Sequence, residues 1–168
     1  MPASPDSPRP DTSGRAPREV PTAPDARRSL GYAALIGIGV MAAIDEIVFH
    51  QLLQWHHFFD RATPTIGIIS DGLLHAAELL SLVIGTFLLL DLARQRRLAM
   101  RLVWAGVLFG MGGFQLFDGI VSHKLLRIHQ IRYDVDLLAY DLAWNLSAIA
   151  LLLLGAWLYR RTRQLRRR

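Results

Sequence analysis

DEIVFHQLLQWH, residues 45–56, returns 73 positions further on as DGIVSHKLLRIH, residues 118–129, and seven of the twelve positions agree. The shared pattern, Asp-x-Ile-Val-x-His-x-Leu-Leu-x-x-His, lies in two stretches otherwise so apolar that they read as membrane-crossing helices. Ionisable side chains are expensive inside a bilayer and mark a site where they occur. Two matching sets therefore decide both the fold and the place where its chemistry is sought.

The likeness extends beyond the motif. Gly37 and Gly39 precede the first copy as Gly110 and Gly112 precede the second, at the same offset. A second apolar segment follows each copy, carrying Asp71 and His75 in one case and Asp141 and Asn145 in the other, now at an offset of 70, which Gly85 and Gly155 share. The change of offset places a three-residue shortening in the second connecting loop, where length is easily altered. The repeating unit reads as a helical hairpin used twice in tandem.

Composition agrees. Of 168 residues 52% are hydrophobic, gathered in long runs and not in the short stripes of a water-soluble domain. Helices are expected at about residues 30–54, 66–91, 101–124 and 136–159, each near or above the roughly 20 residues that cross the hydrocarbon core. Short connections between them predict one all-α, integral membrane four-helix bundle over residues 29–160. Without a cysteine in the chain, disulfides, thiolate metal sites and thiol nucleophiles are excluded.

Residues 1–28 hold seven of the eight prolines, mixed with Ser, Asp and Arg, and predict a disordered tail. The apolar core of a cleaved secretory signal follows closely on a short basic start, and this one does not, so the first helix reads as a retained anchor. Fifteen of the nineteen cations precede helix one, join helices two and three, or follow helix four, leaving Arg61, Lys124, Arg127 and Arg132 for the other side. The positive-inside rule then puts both termini in the cytoplasm, with residues 161–168 a basic cytoplasmic tail, in a multi-pass protein of the inner (plasma) membrane. The formal charge of +5 reports this topology and attraction to anionic lipid heads. No aromatic-interleaved basic module is present, so the expected partner is the lipid bilayer and not nucleic acid.

With that topology Asp45 and His50, Asp71 and His75, Asp118 and His123, and Asp141 and Asn145 all fall in the extracytoplasmic leaflet. His56, His57 and His129 read as lying further out, as interfacial anchors or capture ligands. On an α-helix Asp71 and His75 share a face, whereas Asp45 and His50, five apart, lie about 140° apart and cannot both face one atom. Either one member of the pair orients the other, or the pairing runs between helices, for instance Asp71 orienting His50. A parallel pair of hairpins related by a pseudo-two-fold axis along the membrane normal would bring His50 and His123 face to face. His50, His75 and His123, with Asp45, Asp71, Asp118, Asp141 and Asn145, thus form a candidate metal set. Imidazoles suit zinc, copper, iron and nickel, and zinc or copper heads the list. The bland readings are that Asp71 and Asp141 cap helix starts or bond across the bundle, and that Gly106 and Gly110 serve close packing.

Three function classes follow. One is a metal-binding membrane protein for storage, transfer or metalloenzyme assembly, with a metal-receiving protein as partner. Another is an intramembrane metal-dependent hydrolase acting on a small lipid-like substrate, with an aspartate as base. The third is proton or ion translocation, which the lack of polar residues on the cytoplasmic side of helices one and three disfavours. Haem between two histidines fits less well, since four aspartates at one depth argue against an apolar porphyrin pocket.

The strings IDEIVFHQLLQWHH (44–57), SDGLLHAAE (70–78), LFDGIVSHKLLRIHQIR (116–132) and YDLAWN (140–145) resemble a bacterial family of four-helix inner-membrane proteins of unassigned function. The resemblance covers about residues 30–160. It implies the four-helix architecture and a bacterial membrane, and no particular activity.

Overall fold

The computed structural model describes residues 23–165. The expectations for the proline-rich tail and for the last residues of the basic tail concern residues 1–22 and 166–168, outside that range. Among the described residues the chain is helical, without strands. Helix α1 spans Ala26–Asp45 and runs directly into a π-helical segment, π1, at Glu46–Leu52. Helix α2 is Pro64–Arg94, α3 is Met100–Phe117 with its own π-helical continuation π2 at Asp118–Leu126, and α4 is Leu137–Leu165. The four apolar spans are Ala26–Leu52, Pro64–Arg94, Met100–Leu126 and Leu137–Leu165. Several ends lie beyond those expected from hydropathy because capping side chains sit outside the apolar runs. Asp25 accepts from the Arg28 amide at 3.0 Å, and Thr63 from the Ile66 amide at 3.4 Å, with Pro64 in the first helical position.

The helices are not arranged as a ring. Helices α1 and α3 form the central pair, α2 packs on α1, and α4 on α3, so that the backbones of α2 and α4 are not neighbours. Glycine makes the central contact possible. A Cβ on Gly37 would strike the Val107 carbonyl of α3, and one on Gly110 the Ala34 carbonyl of α1. Gly39 meets Glu78 and Leu82 of α2, while Gly112 meets Ala148 and Leu152 of α4. Close approach of this kind is the usual basis of helix association in lipid, where no hydrophobic drive separates helix from solvent. Away from the motifs, the flanking helices present large apolar side chains outward, Phe87 70% and Leu153 65% exposed, as a bilayer-facing surface requires.

Both motif copies coincide with π-helix. Opening the ladder from i→i+4 to i→i+5 gives roughly 4.4 residues per turn. Residues five apart, about 140° apart in an α-helix, then lie only about 50° apart and share a face. Each π segment closes at a left-handed residue, Gln54 (φ 52°) just beyond π1 and Arg127 (φ 51°) at the end of π2. There the chain reverses, with Trp55 donating to the Phe49 carbonyl at 2.9 Å and Ile128 to the Ser122 carbonyl at 3.0 Å. The following residues are thereby folded back over the bundle end. The two loops are also tied to each other, Asp60 N donating to the Ile128 carbonyl at 3.0 Å.

Candidate metal centre

The reversal carries His56 and His129 inward, contrary to their expected place in the outer loops. They are 5% and 1% exposed, as deeply buried as His50 (2%) and His123 (1%). The four imidazoles form one cluster. His56 and His129 stack with centroids 4.6 Å apart and planes at 6°, His50 lies 4.5 Å from His56, and His123 lies 4.7 Å from His129.

Hydrogen bonding fixes which nitrogen of the stacked pair faces the cluster. His56 Nδ1 donates to the Ile131 carbonyl at 2.9 Å, and His129 Nδ1 donates to the Phe58 carbonyl at 2.8 Å. A carbonyl only accepts, so Nδ1 carries the proton in both rings and Nε2 keeps its lone pair in the neutral form. Each loop thus orients the histidine of the other. His56 Nε2, His50 Nε2 and His123 Nδ1 are buried without a hydrogen-bond partner among the described residues. Burial, reinforced by the facing imidazoles of His129, His50 and His123, pushes the His56 pKa down to about 2. That ring stays neutral throughout the range in which free imidazole titrates.

Carboxylates surround the rings. π-Helical winding sets Asp45 Oδ2 3.8 Å from His50 Nε2, and Asp118 Oδ2 3.0 Å from His123 Nε2, with Asp118 Oδ1 3.4 Å from His129 Nε2. The five-residue spacing that looked unfavourable on an α-helix is therefore the one that works here. The far side of His50 is held as the sequence suggested: its Nδ1 lies 3.0 Å from Asp71 Oδ1, and Glu46 Oε2 is 2.8 Å from the same nitrogen. Asp71 also accepts from the Phe58 amide at 2.7 Å and from His57 Nδ1 at 2.6 Å, so one side chain of α2 fastens both the ring and the loop beside it. Asp71 lies two turns inside α2, whose cap is Thr63, so capping does not account for it.

Three residues of the expected set lie elsewhere. His75 is on the outer face of α2, its side chain half exposed and paired through Nδ1 with Glu78 Oε1 at 2.5 Å. Asp141 pairs with Lys124 Nζ at 2.5 Å, and Asn145 turns its Nδ2 back onto the Asp141 carbonyl at 2.9 Å. Neither joins the histidines. The second half therefore lacks what Glu46 and Asp71 do for His50, because Gly119 stands where the first motif has Glu46 and Asp141 is engaged by a lysine.

Residues 32–162 match the family described as predicted membrane protein (DUF2243). The chain belongs to that family. No curated protein and no solved structure matches the chain. The stretch that matches DUF2243 takes in both motif copies and every residue of the cluster. Groups of three that can hold an ion include Asp45, His50 and His56, and also His56, His123 and His129, the donor atoms of each group lying within 4.8 Å of one another. His56 and His129 were visible in the repeat as its seventh shared position. An α-helical reading hides their depth, because the chain winds as π-helix through His50 and His123 and then reverses at Gln54 and Arg127. Beside the cluster, between α1, α3 and α4, lies an apolar cavity of about 730 Å³ whose walls include Phe49, Trp55, Ile131, Gln115 and Trp144.

Proposed function

We propose that this membrane protein binds a transition metal, zinc or copper, through His50, His56, His123 and His129 with Asp45 and Asp118, at the extracytoplasmic side of the membrane, and that it stores or transfers that metal or delivers it to a metalloenzyme. The observation that carries the reading is the charge and donor balance of the cluster. Asp45, Glu46, Asp71 and Asp118 are each 2–3% exposed, and every ion pair they make is with a histidine. Buried carboxylates without a permanent cation are costly, and a divalent ion among neutral imidazoles compensates them directly. Nitrogen-rich donors with carboxylate support suit zinc or copper better than magnesium or calcium. The tight packing of the four rings supports an ion over a porphyrin. The arginine distribution supports the extracytoplasmic placement.

Protein purified in detergent, incubated with Zn²⁺ or Cu²⁺ and desalted, is expected to retain metal by elemental analysis, and the His50→Ala and His123→Ala variants to lose most of it. Metal-free protein with all four histidines intact would overturn the reading. The apolar cavity favours a second one, in which the ion activates water toward a lipid-like substrate. It predicts lipid or amide hydrolysis that stops when the ion is stripped with a chelator and returns when Zn²⁺ is restored.

A further inference from the structure

The six inward donors divide by motif copy. Asp45, His50 and His56 belong to the first copy, and their donor atoms lie within 4.8 Å of one another. Asp118, His123 and His129 belong to the second, with Asp118 Oδ2 3.0 Å from His123 Nε2 and Asp118 Oδ1 3.4 Å from His129 Nε2. Each copy of the pattern Asp-x4-His-x5-His thus assembles one carboxylate and two imidazoles. The sets meet face to face where His56 stacks on His129.

We propose that the centre is dinuclear, one divalent transition-metal ion on Asp45, His50 and His56 and a second on Asp118, His123 and His129. This deepens the metal-binding reading and rests on it. Two arguments favour two ions over one. Asp45, Glu46, Asp71 and Asp118, the buried carboxylates that pair with the clustered histidines and His57, carry four negative charges if ionised, while the fifth, Glu78, pairs with His75; two divalent ions balance the four with the imidazoles uncharged, whereas one balances only two. The donor geometry is the other argument. Two histidines and one carboxylate form a recognised facial set with coordination positions left open, and two such sets side by side account for all six donors. A single ion on His56, His123 and His129 leaves His50 Nε2 and Asp45 without a role.

The two positions are not alike. His50 is held from behind by Asp71 and Glu46, while His123 Nδ1 has no partner among the described residues. Carboxylate support of this kind raises metal affinity. The first-copy position is therefore the tighter.

The test is stoichiometry. Full-length protein in detergent is titrated with Zn²⁺, desalted, and its metal quantified against protein concentration from amino-acid analysis. Two ions per chain are expected, the first retained at lower free zinc than the second. Asp45→Asn with His50→Ala should leave one ion, held at the weaker site, and Asp118→Asn with His123→Ala should leave one at the tighter site. One ion per wild-type chain would overturn the dinuclear centre and leave the metal-binding reading standing; none would overturn both. Should a double variant lose its helical circular dichroism, the single changes Asp45→Asn and Asp118→Asn take its place. Complete loss of both ions from a well-folded single variant would overturn independent sites.

Discussion

At the scale of single residues, the clearest contrast is between Asp71 and His75, one helical turn apart on α2. The buried positions of α2 (Gly67, Ser70, Asp71, Leu74, Glu78, Gly85 and Leu92) trace a single stripe against α1. At ~100° per residue, His75 falls roughly 85° from the middle of that stripe, outside its reach. Shared helical face alone does not decide burial when only a narrow stripe has a neighbour. Asp71, by contrast, binds His50 Nδ1, His57 Nδ1 and the Phe58 amide. Its replacement by Asn keeps the volume but removes the charge that fixes the imidazole, a change that typically costs roughly 10–100-fold in metal affinity. Asp71→Asn is accordingly expected to weaken the tighter zinc position by that factor and to leave the weaker one near its wild-type value, read by competition with a chromogenic chelator. Equal weakening of both positions would show that Asp71 acts on the fold as a whole. Asp71 and His50 could be paired from sequence because a carboxylate and an imidazole at one depth on neighbouring helices have few other uses. The inward turn of His56 and His129 could not, since it depends on left-handed Gln54 and Arg127, neither of them a glycine that would advertise a reversal.

At the scale of elements, the number and order of helices follow from length and apolar content, and the close α1–α3 contact from the glycine spacing that the two halves share. What periodicity conceals is local winding. A stretch read at 3.6 residues per turn gives the wrong face after a few residues of π-helix, and the motif lies wholly in or beside such stretches. The glycines of α3 divide in a way that can be measured. A Cβ on Gly110 would run into the backbone of Ala34 and Ile38, whereas one on Gly113 meets nothing within 4 Å. Forcing a side chain into a packed contact usually costs about 1–3 kcal/mol, and more when the obstacle is backbone. Replacing an unconstrained helical glycine by alanine gains about 0.5–1 kcal/mol. Gly110→Leu is therefore expected to lower the thermal midpoint in detergent by several degrees or prevent assembly, while Gly113→Ala leaves it unchanged or raises it. Equal midpoints would mean that the helices are not packed as closely as described.

At the scale of the whole molecule, the central pair and its flanks explain why a short chain can bury so much ionisable chemistry. Each motif is flanked by its own helix, α2 or α4, and closed at the end by the two crossed loops. The cluster is thus enclosed by helices and by loops that hold one another. Which side of the membrane the loop end faces would determine where the proposed metal is acquired, and charge provides the argument: the opposite end holds Arg27, Arg28, Arg94, Arg96, Arg97, Arg101 and the arginines of the α4 end. An excess of this kind is retained in the cytoplasm during insertion. The chain has no cysteine, so single reporters can be placed without background. Ala62, in the first loop, and Gln164, near the end of α4, are both exposed and take no part in the cluster. In intact cells an impermeant maleimide should label Ala62→Cys at once and Gln164→Cys only after the membrane is opened. The reverse pattern would place the histidine end in the cytoplasm, and metal would then be taken from the cytoplasmic pool instead of from outside.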